Sequence, residues 1–398
     1  MPTAISKPSQ RDHRVDFYRG VALVMIFINH VPGNVWERYT SRNFGLSDAA
    51  ELFVFLAGFA SAYAYGRPFY AGTRLIASLK AWRRAGVLYL VHCTLTLMAM
   101  GLFAWAALTF GEGEFMRRMA LAPLLTKPLE TLIGLPALSH QFGYVNILPM
   151  YSVLLLLVPL MLMLAGINRH LLLAVSGLAW AVVGIWRIDI PAYPYAGGWF
   201  FNPLAWQFLF AIGLYCGLTK IERGRAVPFA PWLFTAAAGY LVVCLIIVDF
   251  GIWSWQALNG VPFILHGFDK TYLTMPRLLH VLALAYVFAN AAGTSPLATI
   301  QRENPFAMLG RHSLPIFAVG TMLSLVGQVI IFGTEPQFAR DTVLLGGGIV
   351  GLFVLAWGLD WWQAATRGPR PQPVAAPAAQ PALDPSMIAS VKTRRQIS

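Results

Sequence analysis

In 398 residues, 57% of side chains are hydrophobic and only 12% are charged, against about 25% charged in soluble domains, so a water-facing globular surface is excluded. Apolar runs recur along most of the length, which makes the lipid bilayer the solvent and predicts an all-α fold, a polytopic membrane helix bundle. The formal net charge of +12 follows from Lys and Arg gathering in cytoplasmic loops, and no nucleic-acid partner is expected. Cys93, Cys216 and Cys244 lie in apolar stretches without CxxC or ligand spacing, so neither a disulfide framework nor a metal site is expected.

Residues 1–16 are polar, with Lys7, Arg11, Asp12, Arg14 and Asp16. They lack an apolar core followed by a small-residue cleavage site, so they are expected to be a cytoplasmic segment rather than a signal peptide. About ten spans follow, at 17–36, 48–66, 85–108, 145–166, 171–187, 203–219, 231–250, 273–292, 311–332 and 342–362. An N-in, C-in orientation places most Lys and Arg inside, with Arg67, Arg74, Lys80, Arg83 and Arg84 as the strongest group. The outside loop 111–140, with Arg117, Arg118 and Lys127, is expected to lie along the interface. Small residues four apart, Gly58-Ala62-Gly66 and Gly347-Gly351, predict close helix contacts. The membrane domain is taken as 17–365, and 366–398, rich in Pro and Ala and ending in Lys392, Arg394 and Arg395, as a disordered basic tail.

The first span carries the chemistry. Arg19 and His30 are eleven positions apart, three turns plus roughly 20°, so they share a face about 16 Å apart along the axis. Asp16 can pair with Arg19 across one turn, and Asn34, one turn beyond His30, is placed to orient its ring. Polar groups at membrane depth cost about 2.5–3.5 kcal/mol and so normally face a cavity or a partner. Snorkelling would also account for Arg19, and two structural hydrogen bonds for His30. In the second span Ser47 and Asp48 read as helix caps, while Glu51, at the depth of His30, reads as a carboxylate that fixes its tautomer and raises its basicity.

These segments resemble a known group. Arg19, ten residues, His30 and then an acidic residue before Phe53-Val-Phe-Leu-Ala-Gly58 resemble the transmembrane acyltransferase superfamily. The wording Val15-Asp16-Phe-Tyr-Arg19-Gly20, Asn29-His30-Val-Pro32 and Phe44-Gly45-Leu-Ser47-Asp48-Ala-Ala-Glu51 is similar to the OpgC family, membrane proteins implicated in succinylating osmoregulated periplasmic glucans. Asn146-Ile-Leu-Pro149, Phe201-Asn202-Pro203, Arg277-Leu-Leu-His280 and Gly310-Arg311-His312 continue the likeness over about residues 11–362. The resemblance implies acyl transfer at the cell inner membrane, from acyl-CoA (succinyl-CoA) as a cytoplasmic cosubstrate to a glycan hydroxyl outside, with no permanently bound cofactor. It implies that His30 is catalytic, Arg19 its basic partner, and Asn29 the asparagine described beside that histidine.

The remaining polar residues receive roles from physical chemistry. Arg311, with Arg19 and Asp16, is expected near the donor, whose phosphates a cation can grip; ordinary placement at the cytoplasmic face explains Arg311 equally well. Arg277 and His280, one turn apart, are candidates for a donor carboxylate or a sugar, and Asn202, Gln207 and Asn34 for the acceptor. Tyr144, Asn146 and Tyr151 are weaker candidates. Interfacial belts account for Trp199, Trp206, Trp253 and Trp255, with a glucan platform as the functional alternative. Competing readings are an acetyltransferase of the same fold acting on another extracytoplasmic glycan, and a glycan transporter or flippase.

Overall fold

The computed structural model describes residues 12–111, 122–252, 260–291 and 295–366. The readings made for residues 1–11, for Arg117 and Arg118, for Trp253 and Trp255, and for the tail 367–398 lie outside the described residues. The chain divides into two units at Trp357, and the description below concerns the first.

All ten expected spans are helical: α1 (His13–Asn29), α2 (Ala49–Ser61), α3 (Arg74–Phe110), α4 (Ile147–Ile167), α5 (Arg169–Trp186), α6 (Pro203–Arg223), α7 (Pro231–Asp249), α8 (Met275–Ala289), α9 (Ser313–Ile330) and α10 (Phe338–Thr366). Among the described residues there is no strand beyond an isolated bridge between Pro191 and Gly198. Eight segments are long and apolar enough to cross a membrane. The other two, α1 with 17 residues and α8 with 15, measure about 25 and 22 Å at 1.5 Å per residue, short of the roughly 30 Å hydrocarbon core. Both carry polar residues at the end where the candidate site lies.

The first span is displaced from its predicted place. The helix begins at His13, capped by Asp12, and stops before His30, where 17–36 was expected. Pro32 is the cause, because it has no N–H to give the Ile28 carbonyl. Asn34 supplies the missing donor: its Nδ2 bonds the Ile28 carbonyl at 3.1 Å and the Val31 carbonyl at 2.5 Å, and its Oδ1 accepts from Trp36 N at 2.8 Å. The segment that follows is fastened to the start of α10, where buried Asp341 accepts from Val35 N at 3.0 Å and Trp36 Nε1 donates to Thr342 at 2.9 Å.

The second span continues past Ser61 through one π-helical stretch, Ala62–Gly66, into a short helix, Arg67–Tyr70. Pro68 deprives the preceding turn of a donor, which a widened turn accommodates. The Tyr70 hydroxyl then reaches the Leu162 carbonyl on α4 at 2.7 Å. The basic stretch after it is no loop: Arg74–Arg84 is the start of α3, whose 37 residues reach about 55 Å. Of the predicted interfacial loop, Ala122–Thr126 and Pro128–Gly134 are short helices. Leu125, Leu129, Leu132 and Ile133 are exposed while Pro123 and Thr131 are buried.

Two reciprocal glycine contacts set the bundle. A side chain at Gly58 would overlap the Phe210 carbonyl of α6, and one at Gly213 or Gly217 would overlap the Phe55 or Phe59 carbonyl of α2. In the same way Gly20 of α1 faces the Phe306 carbonyl, and Gly310 faces the Asp16 carbonyl, locking the short helix Pro305–Arg311 onto α1. Such close backbone approach replaces the hydrophobic drive that lipid cannot give. The expectation for Gly347-Gly351 needs correction, since a Cβ at Gly348 would meet Phe27, while one at Gly347 or Gly351 would meet nothing within 4 Å.

Gly310→Val should lower stability by about 1–3 kcal/mol through overpacking, read as a lower Tm in detergent. Gly86→Ala, on an exposed face with nothing within 4 Å, should leave Tm unchanged or slightly raised.

Candidate functional site

The start of α2 shows how the site is assembled. Asp48 caps the helix, its Oδ1 accepting from Ala50 N at 2.8 Å, and Glu51 Oε2 returns to Asp48 N at 3.0 Å, completing a capping box. The cap leaves one oxygen of each carboxylate free, and each takes a cation. Arg277, in the first turn of α8, donates from Nε to Glu51 Oε1 at 2.8 Å and pairs with the same oxygen through a terminal nitrogen. Lys270 pairs with Asp48 Oδ2, which also lies 3.7 Å from Arg277. Glu51 is fully buried. Two acids and two bases thus alternate in one cluster, as burial of charge in a low-dielectric interior requires.

The turn before α8 aims Lys270. Asp269 Oδ1 accepts from Thr271 N at 2.7 Å. Trp206 Nε1 donates to the Lys270 carbonyl and Trp180 Nε1 to the Leu273 carbonyl, both at 2.9 Å. Leu273 adopts φ 48°, a left-handed conformation rare for a branched residue. One turn further along α8, His280 Nδ1 lies 2.7 Å from the Ser47 hydroxyl, and the His280 ring occupies the space a Cβ on Gly45 would take.

His30 borders this cluster. It is the C-cap of α1, its N donating to the Ile26 carbonyl at 2.9 Å, and Gln328 of α9 donates to its carbonyl at 2.5 Å. Lys270 and Asp48 lie within electrostatic range of its ring. The ring meets Tyr144 edge-on at 4.9 Å. Tyr144 itself holds φ 70°, the kind of local strain that collects where a side chain must be aimed. His30 Nδ1 is buried without a hydrogen-bond partner among the described residues. Beside it, Asn29 Oδ1 accepts from the Thr40 hydroxyl at 2.6 Å.

Three turns earlier on the helix the Arg19 guanidinium lies 5.8 Å from the Phe53 ring, and its Nε has no partner among the described residues. Phe53 in turn meets Tyr151 of α4 edge-on at 6.5 Å. Asp16 is buried, and Arg311 donates to the Arg302 carbonyl at 2.5 Å. The Gly20 and Gly310 contacts put the helix carrying Arg311 against the α1 turns that carry Asp16 and Arg19.

Several pairings differ from those expected. Glu51 is bound to Arg277 and Asp48 rather than to His30, because the capping box turns its carboxylate toward α8. Arg277 therefore spends one edge on Glu51. Asn34 closes the α1 terminus instead of orienting the imidazole. Asn202 is fully buried as the α6 cap, bonding Leu204 N at 3.0 Å and the Ile188 carbonyl at 2.7 Å, and Gln207 donates to the Ser176 carbonyl at 2.8 Å. Trp199 and Trp206 are buried rather than interfacial. Lys270, Asp48 and Tyr144 are site residues that the sequence reading passed over or undervalued. The available signal was a lysine in an Asp-initiated turn just before Pro276, at the depth of two carboxylates.

Glu51→Gln keeps the cap oxygen but leaves Arg277 only the more distant Asp48 carboxylate, and Arg277→Met leaves Glu51 without its cation. Each should cost roughly 3–5 kcal/mol, while the double variant should recover much of that loss. Thermal unfolding of all four proteins in one detergent measures this coupling.

No curated protein matches the chain. The family model described as OpgC protein, however, matches residues 11–364, a span that takes in every residue of the site. The chain accordingly belongs to the OpgC family and is a multi-pass membrane protein of the acyltransferase type.

Proposed function

We propose that the protein is an O-succinyltransferase of the cell inner membrane, N-in and C-in, that moves succinyl from cytoplasmic succinyl-CoA to hydroxyls of periplasmic glucan. The observation that carries this reading is the His30 Nδ1, buried and unpartnered at the end of a helix that presents Arg19 three turns earlier. An imidazole nitrogen with no structural duty is available to take a proton. The 16 Å or so between Arg19 and His30 suits a donor whose charged portion stays at the inner boundary while its thioester reaches the outer end.

In this mechanism His30 removes the proton from a sugar hydroxyl as the oxygen attacks the thioester carbonyl. The new C–O bond forms, the C–S bond breaks, and the imidazolium returns its proton to the leaving thiolate. Asn29 offers its amide N–H to the oxyanion. Arg19 and Arg311, with Asp16 orienting them, receive the phosphates of the donor. Lys270, which meets Asp48 with one of its three N–H groups, supplies a cation for the succinyl carboxylate. His280 and Ser47 border the acceptor side.

Proteoliposomes given labelled succinyl-CoA or acetyl-CoA with linear glucan provide the test. The wild type should label glucan with succinyl, and His30→Ala should lose about 10²–10⁴-fold or more of that rate while remaining monodisperse. Lys270→Met should reduce succinyl transfer more than acetyl transfer. Equal labelling by acetyl-CoA would reassign the donor, and movement of unlabelled glucan would point to a transporter.

A further inference from the structure

A cavity of about 980 Å³ opens between α2, α6, α7 and α8, at the upper end of the range of small-molecule sites. It is separate from the site described above: neither His30, Arg19, Glu51 nor Arg277 lines it. Its walls are apolar, with Phe55 and Phe59 of α2, Ile212 of α6, Ala237 of α7, and Leu282 and Ala283 of α8. On α8 the lining runs from Leu279 to Ala289, about 15 Å of helix, half of a roughly 30 Å hydrocarbon core. That is the depth of one leaflet.

One end of the cavity is charged, lined by Asp12, Arg14, Lys220 and Arg225. Lys220 is paired with Asp12. Arg14 spends one terminal nitrogen on the Phe288 and Ala289 carbonyls at 3.2 and 3.1 Å, in the last turn of α8. Its Nε and the Tyr18 hydroxyl, on residues that line the same end, are buried without a partner among the described residues. Arg225 is exposed at the rim. Three cations against one carboxylate leave this mouth positive.

We propose that the cavity binds an anionic phospholipid, with an acyl chain between α2 and α8 and the headgroup phosphate at Arg14, Tyr18 and Arg225. Apolar walls one leaflet deep suit a hydrocarbon chain, and the positive mouth selects the headgroup by charge. A CoA donor fits less well. Away from the charged end the lining includes Leu52 and Leu279, which offer nothing to a thioester, and the one hydroxyl on the α7 wall, Tyr240, is already spent on the Pro276 carbonyl at 3.0 Å.

The full chain in phosphatidylcholine vesicles, doped with chain-diazirine phosphatidylglycerol or phosphatidylcholine, tests this by mapping crosslinks. Phosphatidylglycerol should label the α2 and α8 segments around Leu56 and Ala283. Arg225→Gln should lower that labelling about fivefold, the worth of one surface cation, and leave phosphatidylcholine labelling as it was. Filling the cavity with Ala283→Trp, or from the facing wall with Ala237→Phe, should remove the crosslinks. Equal labelling by both headgroups, or labelling that survives both filled variants, overturns the proposal. So does a label displaced by CoA but not by unlabelled phosphatidylglycerol.

Discussion

A membrane interior tolerates charge only in company, and the site is built around that constraint. Glu51 has no exposure to solvent, and both of its oxygens are met, one by Arg277 and the other by the Asp48 backbone N–H. Asp48 then needs its own cation, and Lys270 must be folded inward from the turn before α8 to provide it. That requirement explains why two buried tryptophans, Trp180 and Trp206, spend their only N–H groups on the backbone of this turn. It also fixes α2 against α8, and so the place where His280 meets Ser47. The polar network and the helix arrangement are therefore one problem with one solution.

The same logic separates scaffold from chemistry. Polar side chains that close helix ends have all their groups engaged: Asn34 for α1, Asn202 for α6, Asp341 for the start of α10. His30 and Arg19 differ, since each holds a buried nitrogen without a partner among the described residues, and each is met instead by an aromatic ring, Tyr144 or Phe53. An aromatic wall excludes water without competing for a hydrogen bond, which leaves these nitrogens available to a substrate.

Hydropathy made the ten helices legible in the sequence, because a span is a local property of about twenty residues. The helical spacing of Arg19 and His30 was legible for the same reason. What escaped were partnerships. Nothing local says that Glu51 turns to Arg277, 226 positions away, rather than to the nearer His30, and nothing local brings Lys270 to Asp48. The end of α1 was mislocated for a different reason. Pro32 reads as a helix end only when the orphan Ile28 carbonyl is followed to its new donor, Asn34. Trp206 misled because its apolar bulk resembles that of an interfacial anchor, while its N–H is what the structure uses.

The π-helical stretch Ala62–Gly66 has a consequence of its own. A widened turn holds one residue more than an α-turn, so everything after it is rotated by roughly 100° relative to an uninterrupted helix. Tyr70 reaches the Leu162 carbonyl only in that rotated phase. A single-residue deletion inside the stretch would thus give a more regular helix and a worse protein. The segment acts as a phase-setter, and its length matters to the packing more than its composition does.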